Sequence, residues 1–208
     1  MRNVVRISEG DSKYENMVKR AKEAVVRSDN AFIVAKGNRG KKEGIEPLCV
    51  AHGISFYIAH KMQDALIYSP NNDSETIKAA ITNTISSTRI CSLESAIGGF
   101  IGGNISGTSC FDLDAWIPGD DGLYVLTNSE GMNGSGILFC AEVLKKIWEK
   151  IGNYYLIPSS VHEILIAPDK HGLKKEDFDA MVQEVNRKEV PDEEQLIDRA
   201  FYFDGALN

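Results

Sequence analysis

Residues 154–168 read YYLIPSSVHEILIAP. Segments 154–157 and 161–167 are short apolar runs rich in aromatic and β-branched residues, and Pro158 with Ser159 and Ser160 breaks them with turn chemistry. The stretch predicts two strands joined by a turn. Working outward, 123–127 (LYVLT) predicts a further strand and 128–136 (NSEGMNGSG) a turn. Val143, Leu144, Ile147, Trp148 and Ile151 recur at helical spacing, and Gly152 ends that helix. Phe178, Met181, Val182 and Val185 mark an amphipathic helix ending near Asn186. Pro191 opens a short helical turn, and 200–203 close the sheet as a terminal strand.

The N-terminal half carries weaker but similar signals. Ser12 and Glu15 have the spacing of a capping box, and Tyr14, Met17, Val18, Ala21 and Val25 follow as one apolar stripe to about Arg27. Residues 31–36 (AFIVAK) predict a strand, as do 48–60, interrupted at Gly53, and 65–68. A helix begins near Asp73 or Ser74, with Ile77, Ala80, Ile81 and Thr84 facing inward. The expected class is α+β, a mainly antiparallel sheet with packed helices, in a single domain spanning 1–208. A glycine-rich insertion around 92–109 interrupts it, where Gly98, Gly99, Gly102 and Gly103 bracket Phe100 and Ile101. Glycine makes regular structure costly there, so the segment reads either as a flexible connection or as a flap whose apolar tip, Phe100 and Ile101, grips a partner.

Hydrophobic residues make up 43% and charged residues 25% of the 208, the balance of an ordinary globular chain. At this length a fold buries on the order of 70% of its unfolded surface and needs no metal or disulfide staple. No apolar run approaches the ~18 residues of a membrane span, and the opening MRNVVRISEGDSK lacks the form of a signal peptide, so a cytoplasmic protein is expected. Collagen, coiled coil, disulfide miniprotein and membrane protein are excluded. The net charge of -7 argues against direct nucleic-acid binding. That charge is uneven: residues 1–44 are net positive by 5 and the remainder net negative by 12. Arg39, Lys41 and Lys42 crowd a glycine-containing loop that either meets an acidic partner or closes onto the chain's own acidic half.

Several residues carry candidate chemistry. His162 and Glu163 are the strongest by type; in a strand they would face opposite sides, whereas in a turn Ser160, His162 and Glu163 could approach one point. The structural alternative is a turn locked by its own side chains. Cys110 is the other candidate nucleophile, with His162 or His52 as base, although Asp112 and Asp114 nearby disfavour a thiolate. Cys49, Cys91, Cys110 and Cys140 contain no C-x-x-C pair and read as four reduced thiols. His52, His60, His162 and His171 lack metal-binding spacing. Asp112, Asp114, Asp120 and Asp121 read as a polar loop before a hard-cation site. Gly131, Gly134 and Gly136 reverse the dinucleotide fingerprint and read as a tight turn. Neither a metal nor a cofactor is expected.

The series LYVLTN at 123–128, the glycines after it, IPSSVHEILIAP at 157–168, MVQEVNRKEV at 181–190 and FYFD at 201–204 resembles an uncharacterised family of unknown function from Gram-positive anaerobes and their mobile elements. The resemblance covers roughly 75–205, and its most specific part is Pro-Ser-Ser-x-His-Glu. Family members usually carry Gly-Ala where this chain has Gly134 and Ser135. The resemblance implies a fold and a mobile-element context without a mechanism. With no complete catalytic constellation, the expected function is a non-enzymatic module that binds a protein partner, in one form a phage- or plasmid-encoded inhibitor of a host defence system. The alternatives are a small cysteine- or histidine-dependent hydrolase or transferase and a small-molecule sensor; oligomeric state stays open.

Overall fold

The structure is a computed structural model that describes residues 30–62, 65–69, 72–101, 110–119, 122–170 and 172–206. The helix expected over 12–27 lies outside the described residues, as do Gly102, Gly103, Asp120, Asp121 and His171.

Two antiparallel sheets with packed helices make an α+β fold. The first contains β1 (Ala31–Lys36), β2 (Cys49–Ala51), β3 (Ile54–Met62) and β4 (Ala65–Tyr68). Strand β3 is central, with β1 along one side and β2 and β4 at opposite ends of the other. The interruption at Gly53 is a two-residue hairpin turn: His52 and Gly53 have φ of 54° and 88°, the positive values such a turn requires. The outer edge of β1 is closed by α1 (Ser74–Ser87), where Thr84 Oγ1 accepts the Ile33 amide at 2.9 Å and Asn83 Nδ2 donates to the Ala31 carbonyl at 2.8 Å. Such side chains blunt an edge that would otherwise pair with another chain. Asp73 starts α1 by accepting the amides of Glu75 and Thr76.

The second sheet contains β5 (Thr88–Ser92), β6 (Tyr124–Asn128), β7 (Tyr154–Ile157), β8 (Ile164–Pro168) and β9 (Phe201–Phe203), in the order β5-β6-β8-β7-β9. Alternate residues serve its two faces. Ile90, Leu126, Ile164, Ile166 and Tyr154 pack under Val143, Leu144 and Ile147 of α3 (Ala141–Ile151). Ile157 and Ala167 pack on the other face under Phe178 and Val182 of α4 (Lys175–Lys188).

The structure departs from the sequence expectations in two places, and a third element is less buried than its pattern suggests. Ahead of the insertion expected around 92–109, Thr88–Ser92 forms a strand that pairs with β6, and within it Leu93–Ile101 forms α2 despite Gly98 and Gly99. Tertiary packing overrides propensity here, because Leu93 and Ala96 join a cluster with Cys91 and Val125. Phe100 and Ile101 end this helix, and the rest of the expected insertion, 102–109, lies outside the described residues. The strand expected over 161–167 starts only at Ile164. In α4, Met181 and Val185 stay 48% and 42% exposed, so only part of the apolar stripe is used.

A 3-10 turn, Gly134–Phe139, ties the two sheets together. A Cβ on Gly136 would stand 1.9 Å from the Ile33 carbonyl oxygen, so β1 and this turn meet only because residue 136 has no side chain.

Candidate functional site

Between β7 and β8 the chain turns through 158–163, and Ser160, His162 and Glu163 all lie in that turn. Ser160 Oγ accepts the His162 amide at 2.9 Å, the local bond by which serine favours a turn over a strand. Two segments clamp it. From one side Val161 donates to the Glu194 carbonyl at 2.8 Å, and Leu196 donates to the Ser159 carbonyl at 3.1 Å. From the other, the Gly134 amide and Thr127 Oγ1 both donate to the His162 carbonyl, at 2.9 and 2.8 Å. Ser135 Oγ donates to the Ser160 carbonyl at 2.6 Å and reaches the Glu163 carbonyl at 3.1 Å.

The imidazole is held at both ends. Asn133, in the left-handed region at φ 57°, donates its amide to His162 Nδ1 at 3.2 Å. That bond assigns the ring proton to Nε2, which lies 3.3 Å from Glu194 Oε2. Burial pushes the Glu163 carboxyl above its usual range; the His162 ring and the Ser160 hydroxyl pull it back, and Glu194 pushes it further up. Lys36, 8% exposed at the end of β1, completes the group. Burial, then Lys42, hold its ammonium below the usual range, while Glu194 and Glu193 oppose them.

This constellation has little to offer a substrate. The group meeting Ser160 Oγ is the backbone amide of His162 and not its ring, and both ring nitrogens have partners. The observed geometry is that of a lock joining 127–135, 158–163 and 193–196. Sequence reasoning placed His162, Glu163 and Ser160 together but missed Ser135, Glu194 and Lys36. No spacing signal connects Lys36 or Glu194 to a histidine so distant along the chain.

Cys110 goes elsewhere. It packs in one cluster with Cys91, Val125 and Leu165. His52 instead stacks on Phe201, with ring centroids 5.2 Å apart. Asp112 pairs with Arg89 at 2.6 Å and Asp114 with Lys146 at 2.9 Å. Among the described residues, no three His, Cys, Asp or Glu gather to hold a metal ion. The glycine turn presents no free amides to a phosphate at Gly134 or Ser135, since these donate to the carbonyls of His162 and Val161. A cavity of about 460 Å³ lies between Ile85 and Ser86 of α1, residues 112–115, and Glu142, Val143 and Lys146 of α3.

Of the three basic residues in the loop, Arg39 meets the chain's own acidic half. Arg39 Nη1 contacts Asp192 at 2.6 Å and Gln195 Oε1 at 3.2 Å. The Lys42 amide donates to Tyr57 Oη at 3.4 Å and its ammonium lies 5.2 Å from the Tyr68 ring centre; Lys41 is exposed.

A profile of DUF5688, a family of unknown function, matches residues 55–205. The chain belongs to this family. The match spans the whole second sheet and the lock around His162, and it starts twenty residues before the resemblance read from the sequence, taking in nearly all of β3. No curated protein and no solved structure matches the chain. Among the described residues, no helix is long and apolar enough to cross a membrane.

Proposed function

We propose that this member of DUF5688 is a non-enzymatic protein-interaction module whose contact surface is the outer side of α4 and the acidic turn after it. The observation that carries the reading is the exposure of Met181 and Val185 on a helix whose Phe178 and Val182 are 2% and 1% exposed. Residues four apart lie side by side on a helix, so the two form one apolar strip. Exposed Glu184, Glu189, Asp192 and Glu193 border or follow it, and residues 189–198 contain five acidic side chains and no Lys or Arg. Such a surface suits a partner with an apolar cleft rimmed by basic residues, since complementary charge steers association while a few buried apolar anchors supply affinity. A protein groove that otherwise holds nucleic acid has that chemistry. This fits a phage- or plasmid-encoded inhibitor of a host defence system, the setting that the mobile-element resemblance implies. Lys41 is a secondary contact in this reading, whereas Arg39 pairs with Asp192 and the Lys42 ammonium lies over the Tyr68 ring; the side chains of Phe100 and Ile101 lie outside the described residues.

The test compares the wild-type chain with Met181→Lys/Val185→Lys. Both positions are exposed, so the variant should fold with stability within about 1 kcal/mol of wild type. A stoichiometric partner from host extract should copurify with wild type and be lost from the variant. No stoichiometric partner, or a partner retained undiminished by the variant, would overturn the reading.

A further inference from the structure

Ile90 and Phe111 form an antiparallel bridge outside the named strands, exchanging both backbone bonds, Ile90 N to Phe111 O at 3.0 Å and Phe111 N to Ile90 O at 2.9 Å. In an antiparallel ladder the pair beside a doubly bonded one is unbonded, with α-carbons about 4.5 Å apart and side chains on one face. Here that neighbouring pair is Cys91 and Cys110. A disulfide requires α-carbons about 4.4–6.8 Å apart, so the backbone already lies within the bonding range. The side chains agree: Cys91 and Cys110 pack in one cluster with Ala96, Val125 and Leu165, and the Cys110 thiol helps to push that of Cys91 up. We propose that Cys91 and Cys110 are a redox site, closing reversibly into an intramolecular disulfide that fastens residues 110–111 to the outer edge of β5.

The two sulfurs differ in access. Cys110 is half-buried and Cys91 is 2% exposed, its thiol held up to about 12, first by burial and then by Cys110. Cys110 therefore meets a peroxide first. Its sulfur takes one oxygen to become a sulfenic acid, releasing water. Cys91 sulfur then displaces the hydroxyl, which leaves as a second water with the remaining thiol proton. The dithiol loses two electrons and two protons, and one hydrogen peroxide becomes two waters. A thiol reductant reverses the change by exchange. In the reduced state a single bridge holds 110–111 to β5, and Leu113 and Trp116 just beyond it reach the core under α3. The disulfide makes that attachment covalent until a reductant opens it. The proposal is independent of the α4 surface.

The experiment treats the full chain with hydrogen peroxide, in wild type and in Cys49→Ser, which removes the exposed thiol that could join two chains. The expected product loses the mass of two hydrogens, and nonreducing peptide mapping joins the peptides bearing Cys91 and Cys110. Closing a loop between positions 91 and 110 should raise the melting temperature by about 5–10 °C, reversed by dithiothreitol. Cys110→Ser should lose both the cross-link and the shift. Mapping needs no variant, so a poorly folded mutant leaves the test intact. Cys91 and Cys110 both remaining open to alkylation while Cys49 is oxidised, or a cross-link to any other cysteine, would overturn the proposal.

Discussion

Glu163 is the residue at which the lock carries a cost. Its side chain is drawn from water between Ser160, His162 and Glu194, and burial raises its folded-state pKa. A group so raised favours the fold while protonated, below its unfolded value, and that contribution is lost as pH rises through the folded value. Glu163→Gln keeps an acceptor for Ser160 and cannot ionise. The variant should therefore melt above wild type at pH 7, with the advantage shrinking away as pH falls toward about 4. Melting curves at several pH values decide it; a variant that melts lower than wild type by the same margin at every pH would mean that the carboxylate is a net stabiliser. The turn at 158–160 was legible from its proline and two serines, but the sequence places His162 either in the following strand or in that turn. The true partners of His162 were not legible, since an imidazole's neighbours come from elements far apart in the chain.

At the scale of elements, α1 does more than cover β1. Thr84 Oγ1 accepts the Ile33 amide and donates to the Ala80 carbonyl at 2.7 Å, so one hydroxyl links a helix to a strand edge. Thr84→Val keeps the shape and removes the acceptor, stranding a buried amide. A loss of about 1–3 kcal/mol is expected in urea unfolding, with faster hydrogen exchange at Ile33. Unchanged exchange there would show that the edge is protected by other means. Sequence periodicity placed Thr84 on the inner face of its helix, but the hydroxyl's use became visible only with β1 beside it. Conversely, α2 was hidden because its glycines argue against a helix, and the packing of Leu93 and Ala96 that outweighs them depends on a strand pairing no local pattern predicts.

For the molecule as a whole, the contact between the sheets turns on the absence of one side chain. Gly136→Ala would press a methyl group onto the backbone of Ile33, where the nearest atoms are carbonyl oxygen and carbon at 1.9 and 2.5 Å. β1 is held by its pairing with β3, and the turn by the bonds of Gly134 and Ser135 to His162 and Val161. The expected loss is about 3 kcal/mol or more in urea unfolding. A variant within 0.5 kcal/mol of wild type, a margin typical of inert surface changes, would show that the sheets can slide apart locally.

The local code of this chain was sufficient for its regular elements. Alternating and helically spaced apolar residues, with Pro and Gly between them, specify the α+β class, most of the strands and three of the helices, because those signals act over a few residues. Tertiary structure alone decided that His162 is clamped at both nitrogens, that Cys110 faces Cys91, and that Met181 and Val185 stay in solvent. Each of these depends on which distant segments meet, and burial and hydrogen-bond partners are fixed only when they do.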